Sequence, residues 1–341
     1  DLHSFPTRRS SDLNLFERGG NCLSYAIVFP GQGAQEIGMG KDFFEEYEVS
    51  KAVFQDADEA LGFPLSDFIF GGPDDELVKT AIAQPAILTV SIAVLRAVEE
   101  ELRRHGVELS PSFYAGHSLG EYTVLVASGV LSLADAVRLV HKRGELMQDA
   151  VPIGKGTMSA ILGLDLNTVK EICHEAKAWG VCNPANANAP AQIVISGEVE
   201  AVKRAGDLAK EKGASKVIPL KVSAPFHSDL MRPVADRLER EFSSLTWEKP
   251  TRPIIANVDS SLLESTDEIK RALYEQTYSP VLWADGILTM EKLGVNSFLE
   301  FGPGNVLTGL AKRICKGKKA VSVSKDRKST RLNSSHQPLS R

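Results

Sequence analysis

The constraint that most limits how this chain can fold lies in five residues, Gly116-His117-Ser118-Leu119-Gly120. An apolar, strand-like run (Ser112 to Ala115) enters them, and a helix-like run (Glu121 to Ala127) leaves. A serine at the apex of a strand-turn-helix needs small neighbours, because the backbone must reverse tightly there. This is the Gly-x-Ser-x-Gly elbow, which pushes the hydroxyl clear of a sheet and sets helix-start amides beside it. A glycine-rich turn with no chemistry satisfies the same pattern, so the elbow is read with its surroundings.

Those surroundings alternate strands with helices. Ser24–Phe29 reads as a buried strand stopped by Pro30-Gly31-Gln32-Gly33, 42–61 as an amphipathic helix and 79–105 as a long helix. Ser132 with Asp135 gives the capping pattern for a helix over 132–149. Alternation of this kind predicts a parallel sheet covered on both faces. The middle of the chain changes order: strand 157–164, helix 167–179 capped by Asn167, irregular strand 181–190, strand 192–196, helix 198–212 and strand 216–222. Strand-helix-strand-strand-helix-strand is the ferredoxin-like split motif. The expected fold is therefore α/β: a hydrolase-like parallel-sheet domain, 14–152 and 224–320, with a ferredoxin-like (βαββαβ) small domain, 153–223, inserted into it.

Residues 1–13 and 326–341 have no apolar periodicity and read as translated sequencing-adapter oligonucleotides, set aside as scars. Without them six basic and three acidic residues are lost, and the net charge moves from −5 to −8. That acidity argues against binding nucleic acid by counterion release. No apolar run approaches the roughly 20 residues of a membrane span, so no membrane partner is expected. The cysteines (22, 173, 182 and 315) have no metal-ligand spacing, and no metal is expected.

A serine hydroxyl needs a base within hydrogen-bond reach. His3 and His336 fall in the scars; His105, His141 and His174 sit on charged helical surface. His117 adjoins the serine, where neighbouring side chains diverge, and suits a wall position. His227, in Ser223-Ala224-Pro225-Phe226-His227-Ser228 at the end of the inserted segment, is the candidate base; an inert junction histidine is the alternative. Arg143 is a candidate anchor for an anionic acyl group, against the common solvated helix arginine.

Taken in order, the motifs are similar to those of malonyl-CoA:acyl carrier protein transacylases. They are Phe29-Pro30-Gly31-Gln32-Gly33-Ala34-Gln35, Gly116 to Tyr122, Arg143 with Met147-Gln148, Gln192 to Gly197, and Ala224 to Ser228. Asn257-Val258-Asp259, Gln276 to Trp283 and Glu300 to Gly304 complete the set, and the resemblance runs from about Ser24 to Lys316. It implies that Ser118 carries the acyl group as an ester, that His227 is its base, and that Gln276 orients His227 through its amide or a nearby carbonyl. It further implies an oxyanion hole from the main-chain N–H groups of Gln32 and Leu119, and Arg143 on the malonyl carboxylate. Phe226 resembles the form associated with malonyl over methylmalonyl units; His117, Asn186 and Asn188 are given lining roles.

The implied substrates are malonyl-CoA and a holo acyl carrier protein. No cofactor is expected beyond the phosphopantetheine carried by the partner. A cytoplasmic monomer is expected, with Lys312, Arg313, Lys316, Lys318 and Lys319 as a carrier-docking surface or a solvated basic run. The alternatives are an acyltransferase or acyl hydrolase of a polyketide assembly line, and a serine esterase with an acidic triad member.

Overall fold

The computed structural model describes residues 24–324 apart from 153 and 223; residues 1–13 and 326–341, read above as scars, Cys22 and Ser223 lie outside them. In the first half, β1 (Tyr25–Phe29) leads to helices α1 (Lys41–Glu46), α2 (Glu48–Leu61), α3 (Leu65–Gly71), α4 (Asp74–Leu77) and α5 (Thr80–Arg104). β2 (Phe113–Gly116), α6 (Leu119–Ala127) and α7 (Leu133–Asp149) follow. The middle holds β3 (Gly156–Leu162), α8 (Leu166–Ala176), β4 (Cys182–Ala189), β5 (Gln192–Glu198), α9 (Val199–Glu211) and β6 (Lys216–Pro219). The remainder is α10 (Arg232–Phe242), β7 (Ile254–Ile255), β8 (Leu262–Leu263), α11 (Thr266–Gln276), α12 (Trp283–Lys292), β9 (Ser297–Phe301), α13 (Val306–Ile314) and β10 (Lys319–Val323).

Six strands form the larger sheet in the order β10-β9-β1-β2-β7-β8, parallel except for the β7–β8 pair. Its two faces follow directly from the period of two along a strand. Tyr25, Ile27 and Phe29 enter one core with α5 and α6, while Ala26 and Val28 enter a second with Ile287, Met290, Leu307 and Leu310 of α12 and α13. The smaller sheet, β4-β5-β3-β6, is antiparallel throughout and packs α8 and α9 in a core of its own. This is the strand order of the split motif. Its edge strand β4 is stitched to the segment before α12: the Ala187 N–H donates to the Val281 carbonyl and the Val281 N–H to the Ala185 carbonyl, at 2.8 and 2.9 Å.

Several local expectations are corrected. The helix expected over 42–61 is two helices, because Tyr47 is extended (φ −121°, ψ 118°). Helix α8 begins before Asn167: the Asp165 side chain accepts from the Thr168 N–H at 2.9 Å and is the cap. The strand over 216–222 stops at Pro219, and β4 carries two register shifts that explain its irregular pattern. The expectation of no membrane-length apolar segment fails for α5, which is long and apolar enough by length and composition, with a mean hydropathy of 1.8. It is apolar on most sides because it runs through the core, where 83% of that window is buried.

The elbow depends on two glycines. A Cβ at Gly116 would overlap the Gly120 carbonyl, and one at Gly120 would overlap the carbonyl of Phe29 in β1. Gly309, inside α13, has no neighbour where its Cβ would stand. Gly120→Ala is expected to lower unfolding stability by about 3 kcal/mol through backbone overlap. Gly309→Ala is expected to raise it by about 0.5–1 kcal/mol; urea unfolding of both variants checks the pair.

Candidate active site

β1 and β2 are parallel neighbours, so the loop after Phe29 and the elbow after Gly116 emerge at the same sheet edge, the usual ligand side of an open α/β sheet. Gly31 lies so close to His117 that a Cβ there would overlap its carbonyl. Ser118 has φ 50° and ψ −105°, a conformation that a serine rarely adopts. It is fixed by Asn257, whose Oδ1 accepts from the Ser118 N–H at 2.7 Å and whose Nδ2 donates to the Gly116 carbonyl at 2.7 Å.

Ser118 Oγ lies 2.7 Å from His227 Nε2. His227 Nδ1 lies 2.8 Å from the Gln276 main-chain carbonyl, which can only accept. The proton is therefore on Nδ1, and the Nε2 lone pair faces the serine. Gln276 was expected to act through its amide or a carbonyl; the carbonyl touches the base. The third partner of this histidine is neutral, unlike the carboxylate a serine-esterase triad would place there. Like Ser118, His227 has a positive φ, 56°, so the surrounding structure holds both reacting groups in costly backbone conformations.

Arg143, 1% exposed, points from α7 to the same serine. Its Nη2 donates to Gln276 Oε1 at 2.9 Å and stands 3.4 Å from Ser118 Oγ, and its Nη1 donates to Gln84 Oε1 at 2.8 Å. Its Nε has no partner among the described residues, and the guanidinium lies over the Tyr122 ring, 5.0 Å from its centroid. Among the described residues no carboxylate touches it directly, so a buried cation is held by neutral amides beside the nucleophile. That arrangement suits an arriving anion.

These groups open on a cleft of about 250 Å³. Gln32, His117, Asn186 and Phe226 line it, together with Met147 and Met158. Asn188 is not among its lining residues; its Oδ1 accepts from His117 Nε2 at 2.8 Å, so it aims His117 and does not form the wall. Leu119 is buried and also off the lining, but as the first residue of α6 its N–H lacks an intrahelical partner. The Gln32 side chain turns away to donate to Thr80 at 3.3 Å. His141 departs from the expected solvated histidine: its Nδ1 donates to the Ala81 carbonyl at 2.8 Å. In the basic run, Arg313 donates to Gln192 at 3.0 Å and Lys318 to Asn296 at 3.2 Å, and Lys312, Arg313, Lys316 and Lys319 are exposed.

Three residues at the site carry no role in the sequence reading, Gln84, Asn257 and Glu121, although the last two fall within its motifs. The available signal was a polar side chain in an apolar helix, Gln84 in α5 and Glu121 in α6. Glu121 is 1% exposed; its Oε1 accepts from the Asn257 N–H at 3.1 Å and its Oε2 from Gln276 Nε2 at 2.7 Å. Burial pushes this carboxyl up to about 7, against those hydrogen bonds and Arg143, which favour the anion. Burial, then the charge of Arg143, hold His227 down at about 3. His227 is accordingly neutral and base-competent far below the ordinary histidine range.

The acyl transferase domain family matches residues 26–339. The chain is 46% identical over 300 residues to malonyl CoA-acyl carrier protein transacylase of Bacillus subtilis, covering 88% of this chain and 93% of that one. It is similar to the crystal structure of an acyl carrier protein S-malonyltransferase from Vibrio cholerae, with TM-score 0.86 and 43% identity over 91% of this chain and 99% of that one. A malonyl-transacylase solved with a holo type II polyketide acyl carrier protein gives TM-score 0.84 and 42% identity, over 89% and 96%.

The depressed His227 has a consequence for stability. In the unfolded chain it binds a proton near pH 6.5, and in the folded one only near 3. Its contribution is thus complete above about pH 6.5 and is lost as the pH falls toward 3. Unfolding free energy measured from pH 7 to 4 is expected to fall less steeply in His227→Gln than in the unmodified chain.

Proposed function

The chain belongs to the acyl transferase domain family, as a malonyl-CoA–acyl carrier protein transacylase, and we propose that it carries the malonyl group between two thiols as an ester on Ser118. It is an acyltransferase that moves malonyl from malonyl-CoA to holo acyl carrier protein, supplying fatty-acid synthesis. The observation that carries the site assignment is one oxygen, Ser118 Oγ, placed 2.7 Å from a neutral imidazole nitrogen and 3.4 Å from a buried guanidinium.

In the first half-reaction His227 Nε2 takes the Ser118 proton as Oγ attacks the thioester carbonyl carbon. The oxyanion is received by the N–H groups of Gln32 and Leu119, a contribution of about 3 kcal/mol per donor. Collapse breaks the carbon–sulfur bond, and the CoA thiolate recovers the proton from His227. In the second half the phosphopantetheine thiol of the carrier gives its proton to His227 and attacks the ester, and Ser118 leaves reprotonated. The Gln276 carbonyl keeps Nδ1 protonated throughout. A thioester is activated enough for the weak base that this neutral partner provides.

Arg143 takes the malonyl carboxylate with its terminal nitrogens. This both orients the acyl group and offsets the positive charge that holds His227 down, so a bound malonyl group strengthens the base that must act on it. Phe226 fills the space an α-methyl would need, which is worth about 1–3 kcal/mol against methylmalonyl. His117 and Asn186 shape the wall, with Asn188 holding His117. The phosphopantetheine arrives on the carrier, and the steps above ask for no further cofactor. We place the enzyme in the cytoplasm as a monomer, away from membranes and nucleic acid, with the exposed Lys312 and Lys316 facing an acidic carrier.

Brief incubation with malonyl-CoA followed by intact-mass measurement is expected to show one malonyl adduct, lost in Ser118→Ala and discharged by holo acyl carrier protein. An adduct that decays equally fast without the carrier would mark a hydrolase. Discharge only onto a polyketide carrier would favour the assembly-line reading. Arg143→Ala should lower malonyl loading by about 1,000-fold, as expected for two charge-assisted hydrogen bonds of about 2 kcal/mol each, and acetyl loading far less. Equal losses would make Arg143 structural.

A further inference from the structure

We infer that Glu121 is a positioning residue for Arg143: its carboxylate fixes which way the Gln276 amide faces, and so aims the guanidinium that receives the acyl carboxylate. The inference rests on the transacylase reading and adds to it a residue with no contact to substrate.

A glutamine amide has nearly the same shape in its two flipped orientations, so hydrogen-bond partners decide between them. Gln276 is fully buried. Its Nε2 faces two acceptors, the Ser118 carbonyl at 2.9 Å and Glu121 Oε2 at 2.7 Å, and its Oε1 faces the Arg143 Nη2 donor at 2.9 Å. Flipping the amide would set oxygen against both acceptors and NH₂ against the guanidinium. Of the two acceptors only Glu121 is ionisable, and its second oxygen is committed to the main-chain N–H of Asn257. The result is a buried carboxyl group and a buried cation bridged by one amide, whose dipole points from one to the other.

An amide at position 121 cannot serve this arrangement. Glu121→Gln has one acceptor oxygen for two donors, and the Asn257 N–H belongs to backbone that cannot turn away. The Gln276 side chain is the partner that yields. Arg143 then loses its Oε1 acceptor, which held Nη2 beside Ser118. Two other contacts survive the change: His227 is held by the Gln276 main-chain carbonyl, and the Ser118 N–H by Asn257 Oδ1. The loss should therefore fall on an acyl group that carries a carboxylate, and spare one that does not.

The test compares the unmodified protein, Glu121→Gln and Gln276→Leu. It follows acylation of Ser118 by malonyl-CoA and by acetyl-CoA through intact mass, and inactivation by the uncharged reagent phenylmethylsulfonyl fluoride. Glu121→Gln is expected to slow malonyl loading about 30-fold, the scale of one lost charge-assisted hydrogen bond. Acetyl loading and sulfonylation should change less than about threefold on the same scale, and the malonyl-to-acetyl ratio should fall in Gln276→Leu as well. If all three reactions slow together in Glu121→Gln, or if its malonyl-to-acetyl ratio is unchanged, Glu121 is structural only and the inference is wrong. Should Glu121→Gln fail to fold, the ratio in Gln276→Leu decides. A failure of the unmodified protein to take malonyl would instead remove the transacylase reading, and this inference with it.

Discussion

The hydrogen bond from His227 Nδ1 to the main-chain carbonyl of Gln276 is the contact on which the arrangement of the site turns. It selects the tautomer in which Nε2 accepts from Ser118, and it uses a group that no side-chain substitution removes. Because that acceptor is uncharged, its hydrogen bond only partly opposes the burial and the nearby guanidinium that hold the histidine at about 3. A carboxylate there would give a stronger base, but would also draw Arg143 away from the acyl group. With a neutral carbonyl, the full charge beside the serine is that of Arg143, and the Glu121 carboxyl stands one amide further.

One residue, Gln276, thus divides its work between main chain and side chain. The carbonyl at the end of α11 serves the base, and the amide serves the anchor and the elbow. Each of its partners comes from a different part of the sequence: Ser118 and Glu121 from the elbow helix, Arg143 from α7, and His227 from the segment following β6. The site is consequently a property of how these elements pack. The small sheet contributes less chemistry and more enclosure. β4 supplies Asn186 to the wall and Asn188 behind His117, and it is tied through main-chain bonds to the segment before α12.

Strain and rigidity are distributed accordingly. Ser118 and His227 both occupy positive-φ backbone that costs free energy. Gly116 and Gly120 permit the close approach of elbow and β1, and Asn257 clamps the turn from the neighbouring strand. The long apolar helix α5 supports this from within the core and gives up one buried polar position, Gln84, to Arg143.

The sequence by itself determined the local features whose causes are local. The elbow needs Gly-x-Ser-x-Gly, the cap of α7 needs Ser132 with Asp135, and the alternation along β1 divides its residues between two cores. It also contained a signal that went unused: Ser265 and Glu268 form a capping box for α11, the helix that ends in Gln276. Tertiary structure alone decided which oxygen of Gln276 meets the base, where its amide points, and that Glu121 and Asn257 stand behind the nucleophile. Those are contacts between residues 49 to 158 positions apart, and the pattern of neighbours along the chain holds no information about such pairs. The same reason explains the misplaced cap of α8 and the break at Tyr47: competing starts and stops are nearly equal in local free energy, and packing chooses between them.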